Sequence, residues 1–152
     1  MKFKRFLKPG IFALVVLTFT AFSLVKPSAK TEPELPGIKF FHGTLAKAKA
    51  QAKKENKLIF IDCYTTWCGP CKNMAKKTFV DKAVGEYFNK NFICLKMDME
   101  DGEGPDFASK YSIEAYPTYI FMDHTGTVKH RELGYIEATR FIEVGKVAAS
   151  KK

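Results

Sequence analysis

Residues Leu58 to Lys72 read LIFIDCYTTWCGPCK. The first seven, LIFIDCY, form a near-continuous apolar run, which predicts a strand covered on both faces. The chain then turns through Thr65, Thr66 and Trp67, and a helix is predicted to begin inside CGPC and to run to about Lys77. Pro70 fits a first helical turn, because the N–H it lacks would be unpaired there. Cys68 and Cys71, two residues apart, can close a small disulfide loop with little rearrangement. The unpaired N–H groups and positive dipole end of a helix N-terminus favour a thiolate on Cys68, moving a thiol from about 8.5 towards or below 7. Cys71, one turn in, is expected to be more buried and less ionised. A division of labour follows, in which Cys68 attacks a substrate disulfide and Cys71 resolves the mixed disulfide.

Outward from this stretch, helices and strands alternate. Thr44 can cap a helix from Leu45 to about Glu55, with Leu45, Ala48 and Ala52 as its apolar stripe. Asp81 can cap a short helix through Phe88, and Phe92 to Asp98 (FICLKMD) reads as a second central strand. Glu100 to Asp106 is acidic and glycine-bearing, hence a solvated loop, followed by a short helix around Phe107 to Tyr111. Thr118–Met122, the turn Asp123-His124-Thr125-Gly126 and Thr127–Leu133 make a hairpin, and Ala138 to about Ala149 a closing helix. The order implies an α/β domain with a central mixed sheet flanked by helices on both faces.

The N-terminus has a different character. Of the net charge of +9, five cations (Lys2, Lys4, Arg5, Lys8 and Lys26) fall within residues 1–29, which hold no acid. The remainder carries 20 basic and 16 acidic residues, an ordinary balance that argues against a nucleic-acid partner. A basic start followed by the apolar run Ile11–Val25 reads as a signal peptide or an N-terminal membrane anchor over residues 1–25. Residues 26–37, with prolines at 27, 33 and 36, read as a linker, and residues 38–152 as one folded domain expected to be monomeric. The folded part is thus expected outside the cytoplasm, in the periplasm or tethered to the inner membrane.

WCGPCK between a strand and a helix resembles the thioredoxin superfamily, and the resemblance extends over roughly Phe40 to Ala149. It is strongest to extracytoplasmic members such as the C-terminal domain of membrane thiol–disulfide interchange proteins. It implies the thioredoxin fold and a dithiol–disulfide cycle on Cys68 and Cys71, with no cofactor. It also implies roles for further residues. Asp62 falls where the family carries a buried carboxylate assisting proton transfer. Pro117, in Ala115-Tyr116-Pro117-Thr118, falls at the family's cis-proline, with Tyr116 as the preceding residue that meets substrate backbone. Gly134 falls near a groove-lining glycine, while Trp67, Gly69 and Pro70 flank the reactive thiol. Cys94 stands where thioredoxins place a lysine beside the carboxylate, a departure that weakens the role of Asp62. Gly-Pro between the cysteines resembles reducing members, which implies disulfide-containing protein substrates and a membrane or soluble electron donor.

Other readings of these residues stay open at this level. The same chemistry could run as a disulfide oxidase or isomerase. Asp62 could be a strand-end acid paired with Lys96, and Pro117 an ordinary trans proline. Cys63 and Cys94 read as small core residues, with a disulfide between them as the alternative. Cys63-x4-Cys68-x2-Cys71 with Cys94 also matches an iron–sulfur spacing, and four cysteines could hold zinc. A mid-strand position for Cys63 argues against a metal-wrapping loop, so no metal site is expected.

Overall fold

The computed structural model describes residues 36–152. The predicted signal or anchor segment, and the linker as far as residue 35, lie outside the described residues. Helix α1 spans Leu45–Glu55 and is opened by Thr44, whose side chain accepts the Lys47 N–H. Strand β1 spans Leu58–Tyr64. Helix α2, Gly69–Asn73, passes directly into a π turn at Met74–Thr78. Then follow α3 (Lys82–Asn91), β2 (Phe92–Asp98), α4 (Gly104–Tyr111), β3 (Thr118–Met122), β4 (Val128–Leu133) and α5 (Ala138–Ala149). None of the described helices is long and apolar enough to cross a membrane.

The strands form one mixed sheet in the order β2-β1-β3-β4. β1 runs parallel to β2 and antiparallel to β3, and β3 is antiparallel to β4. The helix-bearing connections between β1 and β2 permit the parallel pair, whereas the short turn after β3 permits only an antiparallel one. Because side chains alternate along a strand, β1 feeds two separate cores. Leu58 and Phe60 join Phe88, Phe141 and Val144 on the α3–α5 side. Ile59, Ile61 and Cys63 join Ala48, Ala52 and Phe107 on the α1–α4 side. Alanines at 48 and 52 let α1 lie close against the sheet.

Two boundaries differ from the sequence expectation for physical reasons. α4 starts at Gly104 rather than near Phe107, so Gly104, Pro105 and Asp106 belong to the helix and not to the acidic loop. Pro105 suits the first turn, and a Cβ at Gly104 would lie 1.7 Å from the Asp98 carbonyl oxygen, so only glycine allows this approach. α3 continues past Phe88 to Asn91 and runs straight into β2.

Phe60 is the centre of the larger core. The rings of Phe40, Phe79, Phe88, Tyr119, Phe121 and Phe141 lie with centroids 5.1–6.4 Å from its own, mostly edge-on or tilted. Phe60→Ala is expected to lower the unfolding free energy by about 3–5 kcal/mol. A urea titration showing a loss under about 1 kcal/mol would mean that these rings do not pack as one unit.

Candidate functional site

β1 ends at Tyr64, and α2 begins five residues later at Gly69. Cys68 is the N-cap of that helix, and its Sγ accepts the Cys71 N–H at 3.1 Å. The Cys68 N–H turns back to the Thr65 carbonyl at 3.3 Å, which fixes the loop between strand and helix. Cys68 and Cys71 are joined by a disulfide, with Cα atoms 5.3 Å apart. Burial does not separate them as expected, since Cys68 is 3% and Cys71 5% exposed. Both are buried in this oxidised form, and Gly69 and Pro70 are the exposed members of the turn.

Trp67 stands beside the pair at 63% exposure, yet it is held on two sides. Its Nε1–H donates to Glu100 Oε1 at 2.9 Å, and its ring meets Tyr116 edge-on with centroids 5.9 Å apart. Glu100, an exposed turn residue, is thus also a tie to the tryptophan, a role that sequence reading missed. The Tyr116–Pro117 bond is cis. Gly134, at φ +85°, donates its N–H to the Pro117 carbonyl at 2.9 Å and accepts the Tyr119 hydroxyl at 3.1 Å. Trp67, Tyr116, Pro117 and Gly134 are linked in this way into one rim beside the dithiol turn.

Asp62 is 1% exposed and lies on the same face of β1 as Phe60, with Met74 and Phe79 packed on that face. Its register partner on β2 is Lys96, whose Nζ lies 2.8 Å from Asp62 Oδ2. This is the Asp62–Lys96 pairing that the sequence left open, and it corrects the placing of the lysine position at Cys94. β1 and β2 are seven-residue parallel strands in full register, and Asp62 and Lys96 are each the fifth residue. Matching the two strands end to end would have found the pair. The ammonium also lies 4.4 Å from the Tyr64 ring centroid, 5.3 Å from that of Phe40 and 5.5 Å from that of Phe79. Asp62 Oδ1 has no hydrogen-bond partner among the described residues. Burial pushes the Asp62 carboxyl up from the ordinary carboxylate range, against the opposing pull of Lys96. Burial thus favours the protonated carboxyl, while Lys96 favours the carboxylate.

Cys63 and Cys94 are unbridged and buried. They belong to cores on opposite faces of the sheet, which rules out a bond between them. Burial pushes both thiols well above the ordinary range, so they are inert. The four cysteines therefore do not gather as an iron–sulfur or zinc ligand set. Among the described residues no group of three or more His, Cys, Asp or Glu side chains is placed to hold a metal ion.

A sequence profile of the family described as thioredoxin-like matches residues 41–124, more than half of the chain. The chain belongs to the thioredoxin-like family. A solved structure from Bacteroides thetaiotaomicron, described as a candidate disulphide-isomerase, is 41% identical. It superposes with a TM-score of 0.69 over 78% of this chain and 98% of that one. The thiol:disulfide interchange protein DsbD of Colwellia psychrerythraea is 33% identical over 106 residues, which is 64% of this chain but 17% of that protein. Thioredoxin-T of Drosophila melanogaster is 37% identical over 68 residues, 45% of this chain and 40% of that protein. The chain thus spans less than half the length of these two thioredoxin-like relatives.

The buried carboxylate gives a test. Because folding raises the Asp62 pKa, the carboxylate subtracts stability as pH climbs from the ordinary carboxylate range through the raised value. Asp62→Asn should therefore melt above wild type at pH 7, and the gap should close below about pH 4. A variant that melts below wild type at pH 7 would show that the Lys96 attraction outweighs burial.

Proposed function

We propose that this chain is a thiol–disulfide oxidoreductase that reduces protein disulfides outside the cytoplasm. The observation that carries the reading is the Cys68–Cys71 disulfide at the start of α2, set beside the rim formed by Trp67, Tyr116, Pro117 and Gly134. In the reduced form the Cys68 thiolate attacks one sulfur of a substrate disulfide. The substrate S–S bond breaks, one substrate thiolate leaves and takes up a proton, and a mixed disulfide forms. Cys71 then attacks Cys68 Sγ, the second substrate thiol departs, and the Cys68–Cys71 bond closes. Asp62 accepts the proton that Cys71 gives up, a role suited to a carboxyl whose affinity for protons burial has raised. Trp67 and the Pro117–Gly134 edge receive the substrate backbone around the reacting sulfur. Each cycle passes two electrons to the substrate, so a membrane or soluble dithiol donor must return them.

The basic, then apolar N-terminus supports export, and the Gly-Pro dipeptide supports the reducing direction. Likeness to the Bacteroides candidate disulphide-isomerase keeps an isomerase as the second reading. In an insulin-reduction assay, Cys68→Ser should lower turnover by at least about a thousandfold. Cys71→Ala should instead accumulate mixed disulfides in cells, carrying proteins from outside the cytoplasm. Retained turnover in the first variant would refute the dithiol cycle, and capture of cytoplasmic proteins alone would refute export. Titration of the Cys68–Cys71 couple against glutathione should give a midpoint below about −200 mV, and one near about −120 mV would make the protein an oxidant.

A further inference from the structure

The helix that carries the dithiol changes its winding one turn after Cys71. The Phe79 N–H reaches back five residues to the Met74 carbonyl at 2.8 Å, which closes the π turn Met74–Thr78. Such turns insert an extra residue into a helix and occur often at functional sites. Here Met74 and Thr78, both buried, meet the same residue of the loop after β4. Thr78 Oγ1 donates to the Ile136 carbonyl at 2.7 Å. The Ile136 N–H donates to Met74 Sδ at 3.3 Å.

Ile136 lies outside any strand or helix, and it is itself buried. Both of its backbone polar groups therefore find their partners on the side chains of one π turn. Without them those groups would be left dry and unpaired, which is costly. Two residues upstream, the Gly134 N–H donates to the Pro117 carbonyl at 2.9 Å. A continuous path thus runs from Cys71 through Met74 and Thr78 to Ile136, and on through Gly134 to Pro117. The dithiol and the Pro117–Gly134 edge come from distant parts of the sequence, and this clamp ties one to the other.

We propose that Thr78 is a positioning residue, with Met74 as its second arm, setting the gap between the Cys68–Cys71 pair and the Pro117–Gly134 edge that receives an extended peptide. This rests on the reading of the chain as a thiol–disulfide oxidoreductase acting on protein substrates. A shape-preserving change at Thr78 should loosen the peptide edge and leave the dithiol chemistry of a bound substrate largely intact.

The test is steady-state insulin reduction by the full chain carrying Thr78→Val or Thr78→Ser, with amide hydrogen exchange read at Gly134 and Ile136. Thr78→Val should raise KM about tenfold and change kcat by less than about threefold, because a buried hydrogen bond that fixes substrate binding is lost. Thr78→Ser keeps the hydroxyl and should restore the wild-type KM. Exchange at Gly134 and Ile136 should quicken in Thr78→Val alone. A fall in kcat at unchanged KM, equal impairment of the serine variant, or unaltered exchange would each overturn the assignment. Should the valine variant not fold, Met74→Leu removes the sulfur acceptor while keeping the shape, and the same KM rise is expected of it. A wild-type chain that fails to reduce insulin would refute the parent function. In that event faster exchange at Gly134 and Ile136 in Thr78→Val would still support the clamp, and unchanged exchange would refute it.

Discussion

Burial of β1 on both faces is the constraint from which the site follows. A strand covered on both sides can carry a carboxylate only at an energetic cost, and this one carries Asp62. Lys96, the register partner on β2, offsets part of that cost, and the rings of Phe40, Tyr64 and Phe79 confine the ammonium next to it. Two of these rings come from segments that flank the sheet, so the pair is enclosed by the same packing that forms the larger core. The outcome is a buried carboxyl of raised proton affinity on the face of β1 where Met74 and Phe79 pack. An apolar side chain at position 62 would escape the cost of burying a charge.

Much of this was legible in the residues. LIFIDCY, FICLKMD and TYIFM are apolar enough that only buried strands accommodate them, and all three have the predicted bounds. Thr44 and Asp81 were recognisable as caps because a side-chain oxygen before a helical stripe has one strong local use, and both accept the expected N–H. CGPCK announced the redox turn. What sequence could not supply was whatever depends on register or on long-range approach. Lys96 could be named as a partner of Asp62 only as one alternative beside Cys94 at the lysine position, because the alignment of β1 against β2 is a tertiary fact. Glu100 looked like one more acid in a polar loop until Trp67 was seen beside it. The start of α4 was misplaced because the fit of Gly104 against Asp98 cannot be read from local propensity.

The π turn belongs to the same class of hidden feature. MAKKT has the composition of an ordinary helix, and nothing in it signals an extra residue per turn. The turn meets its polar partner far along the chain, at the buried backbone of Ile136, which lies 58 residues beyond Thr78. Secondary structure here yields to the demand that interior polar groups be paired. The helix of the dithiol and the Pro117–Gly134 edge are consequently joined through hydrogen bonds.

The placement of Cys63 and Cys94 on opposite faces of the sheet bears on fidelity. Of the four thiols, those of Cys63 and Cys94 can pair wrongly only while the strands are apart. Once β1 and β2 are zipped together, a barrier of sheet separates these two from each other, and burial withholds both from solution oxidants. The folded molecule then presents a single bridgeable pair to its surroundings. Topology alone acts as a filter that lets a chain with spare cysteines cycle repeatedly without scrambling.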